Sequence, residues 1–250
     1  MNDESAAIAD AGTVSAARSS TQDAYREPAI PEYLEETYWW AYLHPRSIWL
    51  FEREWVVNLI LWGNMRRLTN AVLEEIEPSM QGPVLQVACV YGDFSRRLAS
   101  AVGDTGSRLH VADIAPIQLR NVRRKLSSLD NVTLHHQDSS ELHFAGGMFE
   151  QTVVFFLLHE QPDRVRRRTI TEAIRVTRPG GKVVFVDYHR PWRGNPLRYV
   201  MRPVLKTLEP FALDLWKTEL SEMLPAGIAP ERVSVRYYGG GLYQKVVIDC

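Results

Sequence analysis

The sequence predicts an α/β protein built on a mostly parallel sheet that closes in an antiparallel hairpin, and three observations carry that reading. Short runs rich in Val, Leu and Phe recur between residues 83 and 187. Most are followed by a longer segment with helical spacing, and strands alternating with helices pair as parallel neighbours. The chain then ends on two strand-like runs joined by Gly239-Gly240-Gly241, residues that suit a hairpin turn.

Residues 1–30 are rich in Ala, Ser, Asp and Thr and poor in large apolar groups, a composition that reads as a disordered tail. From Tyr33 to Trp62 the composition changes, and five of the seven tryptophans fall there. Two helices are expected across 31–64, with Pro31 and Pro45 near their starts. Another, over Met65–Ile76, leads to the break at Pro78. The first strand is expected at Pro83–Ala88, followed by the turn Cys89–Asp93 and a helix from Phe94 to Val102. The second strand, Arg108–Asp113, precedes a helix ending near Leu126, and Asn131–His136 is the third. Gln151–Leu158 reads as the fourth, followed by a basic helix over Asp163–Thr177. Arg178–Gly181 reads as a turn before the fifth strand, Lys182–Asp187. The hairpin pairs Arg232–Tyr238 with Leu242–Asp249.

The 250 residues suffice for one sizeable core. A net charge of -1 gives no footprint for nucleic acid. The two cysteines, Cys89 and Cys250, exclude a disulfide framework and a four-cysteine zinc site, and a reducing compartment is the default. Asp3 and Glu4 stand where a secretory signal would be positive. The longest apolar stretch, Trp55–Trp62, is far short of the about 20 residues that cross a bilayer.

In an open α/β sheet, ligands bind beyond the carboxyl ends of the strands. Asp113, followed by Ile114, ends the second strand, where an acid grips both ribose hydroxyls of a nucleoside. Asp138, between Gln137 and Ser139, follows the third strand and can accept a hydrogen bond from an adenine amino group. The fourth strand ends in Leu158-His159-Glu160 and the fifth in Asp187-Tyr188-His189. Such side chains suit acid–base work or ligation of manganese, iron or zinc. Each also has a plainer reading: a helix cap for Asp113, a loop acid for Asp138, and ordinary loop polarity for the others.

Val84–Ser95, Val111–Asp113, Gln137–Asp138 and Arg178–Asp187 together resemble the class I S-adenosylmethionine-dependent methyltransferases, especially the branch that methylates quinone precursors and lipids. The resemblance covers about residues 65–250. It implies a Rossmann-like fold with a seven-stranded, mostly parallel sheet and a catalytic domain that binds S-adenosylmethionine. The cofactor loop departs from the family pattern of an acid followed by three alternating glycines. Gln86 stands in the acid's place, Ala88 and Val90 replace the first two glycines, and Gly92 alone is retained. Glycines there permit positive φ, so the β-branched Val90 is expected to reshape the loop. Gln86 removes a charge that would favour a protonated ammonium group.

The loop Val87–Gly92 and the aromatic segment Tyr33–Tyr42 resemble the rhodoquinone-biosynthesis protein family over nearly the whole chain after residue 30. That resemblance implies conversion of ubiquinone into rhodoquinone, a ring methoxy group being replaced by an amino group. S-adenosylmethionine is then the amino donor and manganese the metal. The cofactor would lie along Gln86, Ala88, Val90, Gly92, Asp113, Ile114, Gln137, Asp138 and Ser139. Catalysis is expected of Tyr91, His159 and Asp187; Tyr91 would position the methionine amine or relay a proton, or else simply pack. Manganese, as a Lewis acid on the quinone carbonyl, is expected on ligands drawn from His159, Glu160, Asp187 and His189. Two other functions stay open: methylation of a quinone or lipid-like phenol, and a non-catalytic partner in a quinone-synthesis complex.

Ile48–Trp62 is strongly apolar and aromatic, and Pro191–Lys206 mixes cations with apolar groups. Both suit an anionic lipid interface or lids packed on the core. The expectation is a cytoplasmic protein, peripheral at the inner membrane. Arg164–Arg168 reads as the solvated face of a helix.

Overall fold

The computed structural model describes residues 28–39, 44, 49–76 and 82–250; residues 1–27, most of the expected tail, and the helix-start signal at Pro45 lie outside them. Helices α1 (Glu32–Tyr38), α2 (Glu54–Ile60) and α3 (Met65–Leu73) precede the sheet. There follow β1 (Val84–Val87), α4 (Phe94–Asp104), β2 (Leu109–Asp113), α5 (Pro116–Lys125), β3 (Val132–His136) and β4 (Phe149–Phe155). The chain continues through α6 (Asp163–Val176), β5 (Thr177–Tyr188), α7 (Leu197–Leu208), β6 (Val233–Tyr238) and β7 (Tyr243–Asp249).

The seven strands form one sheet in the order β3-β2-β1-β4-β5-β7-β6. The first five are parallel, and β7 runs antiparallel between β5 and β6. The chain steps one way from β1 to β3 and the other way from β4 to β5. Right-handed crossovers therefore put the intervening helices on opposite faces. The central strands read as continuous apolar runs because both faces are covered. Leu85, Val153, Val184 and Val246 are fully buried, each worth about 1.5–3 kcal/mol relative to exposure. Phe94 stacks on Phe155 with ring centroids 4.0 Å apart.

Three expectations are corrected. The fourth strand stops at Phe155, because Phe156 takes a φ of 53° and extended pairing cannot continue through that angle. Leu158–Glu160 consequently forms a 3₁₀ turn. Arg178–Gly181 lies inside β5 as a bulge: Phe149 faces Thr177 while Gln151 faces Lys182. Arg166, expected on a solvated face, is completely buried. Its Nε donates to Leu158 O at 2.7 Å, and its Nη2 donates to Gln161 O and Phe211 O at 2.8 and 2.9 Å. The guanidinium thus pins both ends of the turn that carries His159 and Glu160.

Candidate active site

The direction of winding reverses between β1 and β4, and the crevice at the carboxyl ends of such strands is where ligands bind in this topology. A cavity of about 570 Å³ opens there. One end is lined by Tyr91, Asp113, Gln137 and Asp138 from the sheet rim. The other is walled by apolar side chains of α2, the turn after it and α7, including Leu59, Trp62, Met201 and Leu205. The aromatic N-terminal segment also contributes, through Tyr33, Leu34 and Phe51.

The loop after β1 turns through left-handed angles at two positions, one of them not a glycine. Ala88 has φ 70° and Gly92 φ 75°, so the left-handed turns survive at both ends. The strain falls on Ala88, since an L-residue pays roughly 1–2 kcal/mol in this region. Val90 does not take a positive φ, and it lines the cavity. Gln86 is fully buried and does not line the cavity. Its Nε2 donates to Ala88 O and Ser95 Oγ at 2.8 and 2.9 Å, so it braces the loop from beneath. Gly92 likewise shapes the loop without lining the cavity.

Asp113 organises the polar end. Its carboxylate accepts the backbone N–H of Cys89 at 2.6 Å and of Ala115 at 2.7 Å. Burial pushes its carboxyl up, with these hydrogen bonds opposing. Lone pairs remain for a ribose diol. Asp138 caps its own loop through Ser140 N at 2.7 Å and faces the cavity beside Ile114, Gln137 and Ser139. Ser139 Oγ is fixed by Gln161 Nε2 at 2.9 Å. Two carboxylates, a left-handed loop and an amide-rich rim fit the nucleoside of S-adenosylmethionine. Tyr91 Oη accepts a hydrogen bond from Gln118 Nε2 at 2.7 Å, and its ring lies 5.6 Å from Phe51. Burial raises its hydroxyl well above the usual range, so it is a neutral donor in the wall.

The opposite wall carries a buried histidine–carboxylate pair. His159 Nδ1 lies 2.9 Å from Asp187 Oδ1. Asp187 also takes the N–H groups of Leu158 at 2.8 Å and Tyr188 at 2.7 Å. His159 Nε2 is turned to Glu160 Oε1 at 3.7 Å and Glu209 Oε2 at 3.9 Å. Burial alone would lower the His159 pKa, but the Asp187 carboxylate, with Glu209 and Glu160, raises it to about 9. The three carboxylates thus favour the protonated form of the ring. Burial pushes the Glu209 carboxyl up while the His159 charge opposes it.

The expected metal set is not assembled. Asp187 is 1% exposed and its oxygens are occupied by the donors above. His189 Nδ1 lies 2.7 Å from Gly241 O and its Nε2 3.1 Å from Glu219 Oε1, outside the cavity. Only His159 and Glu160 of the four line it. Among the described residues, no group of three His, Cys, Asp or Glu side chains is arranged to hold a metal ion. The residues present do not fit the manganese site expected.

Tyr188 of the fifth strand's end lines the same wall, as do Glu209 and Phe156, which were not singled out by sequence. Glu209 carries one faint signal: it is the first acid after the stretch from His189 to Leu208, which has none.

Residues 84–181 match the family described as Methyltransferase domain. A demethylmenaquinone methyltransferase of Staphylococcus saprophyticus is 29% identical over 134 residues, 54% of this chain and 56% of the relative. That of Staphylococcus aureus strain Newman is 30% identical over 134 residues, 54% of each chain. The chain thus spans about half the length of the curated relatives it matches. An O-methyltransferase family protein from Burkholderia thailandensis superposes with TM-score 0.58 at 15% identity, covering 83% of this chain and 60% of that one. The PH0226 protein from Pyrococcus horikoshii superposes with TM-score 0.54 at 16% identity, covering 88% and 99%. The fold is the Rossmann-like fold of class I methyltransferases, as expected.

Proposed function

We propose that the protein is an S-adenosylmethionine-using transferase acting on a quinone ring, and that the reaction is exchange of a ring methoxy group of ubiquinone for an amino group. One observation supports the choice of chemistry: the His159–Asp187 pair, 2.9 Å apart, stands in the cavity wall with Nε2 turned to Glu160 and Glu209, a setting that favours the protonated ring. A methyl transfer to a phenol needs a base to take the phenol proton. An exchange at a quinone needs a donor to polarise a ring carbonyl and to protonate the departing methoxy oxygen, and a buried imidazolium is such a donor. Asp187 holds the ring's orientation and favours its charge, with Glu160 and Glu209 close to its Nε2.

Asp113 would hold the ribose and Asp138 the adenine, while Tyr91 and the Ala88–Gly92 loop would bound the methionine end. When bound, S-adenosylmethionine would supply the amino group, its nitrogen bonding to the ring carbon as methanol leaves and its own carbon–nitrogen bond breaking with water taking the nitrogen's place. Gln86 supports the reading, because it puts a neutral amide under the loop where a carboxylate would favour ammonium. Apolar walls from α2 and α7 suit a quinone and exclude water.

The relatedness to demethylmenaquinone methyltransferases favours a second reading, methylation of a quinone or a similar phenol. Incubating the purified protein with S-adenosylmethionine, manganese chloride and a short-chain ubiquinone, followed by mass spectrometry, separates the two. An amino-for-methoxy product establishes the first reading. An unchanged ubiquinone with S-adenosylmethionine binding intact, and a demethylquinone that becomes methylated, establishes the second. Absence of both turnover and binding leaves a non-catalytic partner.

A further inference from the structure

We infer that the mouth of the cavity is a docking face for an anionic lipid surface, whatever reaction the cavity performs. Two elements flank the mouth, and both turn apolar side chains outward. On the side of α2, Trp49 is 65% exposed, Trp55 63% and Leu59 68%, with Ile60 beside them. On α7 only Met201 and Leu205 are buried. Tyr199, 72% exposed, Val200, Val204 and Leu208 face outward. The two sides are adjacent, because Trp62 Nε1 donates to Met201 Sδ at 3.0 Å. Leu59, Ile60, Val204 and Leu208 belong both to this face and to the cavity lining.

Soluble proteins rarely leave such a continuous apolar face uncovered, and its residue types and charges say what covers it. Tryptophan and tyrosine prefer the membrane–water boundary. Helix α7 carries Arg198, Arg202 and Lys206 at four-residue spacing and no acid. Arg53 lies 4.1 Å over the Trp49 ring, and Arg66 is exposed after the Trp62 turn. Against these, Glu54 is the exposed acid on α2, since Glu52 is paired with Lys125 at 2.8 Å. Apolar aromatics interleaved with unpaired-sign cations match anionic headgroups above acyl chains. A protein seated on this rim would seal the cavity, whereas a fluid lipid surface leaves it open to apolar molecules. Among the described residues no helix is long and apolar enough to cross a membrane, so the contact is from one side.

The test is co-sedimentation of the full-length chain with phosphatidylcholine vesicles, with and without about one-third phosphatidylglycerol. Binding is expected to the anionic vesicles, weakening several-fold as salt is raised. The pairs Tyr199→Glu with Val200→Glu, and Arg202→Glu with Lys206→Glu, lie outside the cavity lining. Each is expected to weaken binding at least about tenfold with an unchanged thermal melt. Absence of vesicle binding, or binding that ignores lipid charge and both variant pairs, overturns the inference. So does a dimer in analytical ultracentrifugation that Tyr199→Glu abolishes while vesicle binding is absent. None of these readouts involves S-adenosylmethionine or a quinone, so they stand apart from the test of the reaction.

Discussion

Replacing Asp187 by Asn puts the His159 charge to a quantitative test. The substitution preserves size but removes the carboxylate that accepts His159 Nδ1 at 2.9 Å. Moving an imidazole from 6.5 to about 9 corresponds to roughly 3 kcal/mol in favour of the charged form. The folded pKa is raised, so this stabilisation is fully present below pH 6.5 and is lost as pH rises through about 9. In the variant, desolvation is opposed only by Glu160 and Glu209, and His159 falls toward or below 6.5. Urea unfolding at pH 6, 7, 8 and 9.5 should therefore show the two proteins diverging most at the lowest pH. The gap between them should narrow by roughly 3 kcal/mol across the series. A nuclear magnetic resonance titration of the His159 ring should show the same fall directly. Parallel stability curves from pH 6 to 9.5 would refute both the imidazolium and the donor role built on it.

Three further outcomes are expected. Ala88→Gly should stabilise the protein by about 0.5–1 kcal/mol in denaturant titration, the relief of left-handed strain exceeding glycine's extra entropy in the unfolded chain; a loss of stability would contradict the strained loop. Arg166→Met should destabilise by roughly 3 kcal/mol or more, because three buried carbonyls lose their donor, and thermal unfolding measures it. His110 Nδ1 lies 2.9 Å from His135 Nε2, and burial, with the His135 charge, lowers His110 to about 4. Its contribution is present above pH 6.5 and lost as pH falls toward 4. Because the pair is half-exposed, roughly 1–2 kcal/mol is expected after solvent screening, and His110→Gln should flatten that part of the acid limb.

The central strands were readable because β1 and β4 are short, buried apolar runs bounded by turn residues, and few other elements leave that trace. Helix α7 was not, because Pro203 interrupts its interior and its narrow buried stripe of Met201 and Leu205 is outnumbered by the outward-facing Tyr199, Val200, Val204 and Leu208. At the site, Asp113, Asp138 and His159 were legible from their position just after strands. Partners were not. Asp187 and His189 sit two residues apart at one strand end, yet one turns to His159 and the other to Gly241 and Glu219. Strand position fixes where a side chain leaves the sheet, while its partner comes from loops far along the chain. Ala88 shows the same limit from the other side: tertiary contacts impose a backbone angle that its residue type disfavours.

Lys125 gives the cavity a mechanical character of its own. Its ammonium donates to Val90 O and Gly92 O at 3.0 and 2.8 Å and pairs with Glu52 Oε1 at 2.8 Å. Asn121 adds a hydrogen bond to the same oxygen at 2.6 Å. One cation is thus the rivet between the loop after β1 and the segment leading into α2. The loop and that segment are therefore fastened at this ammonium, and Lys125→Met would release both together.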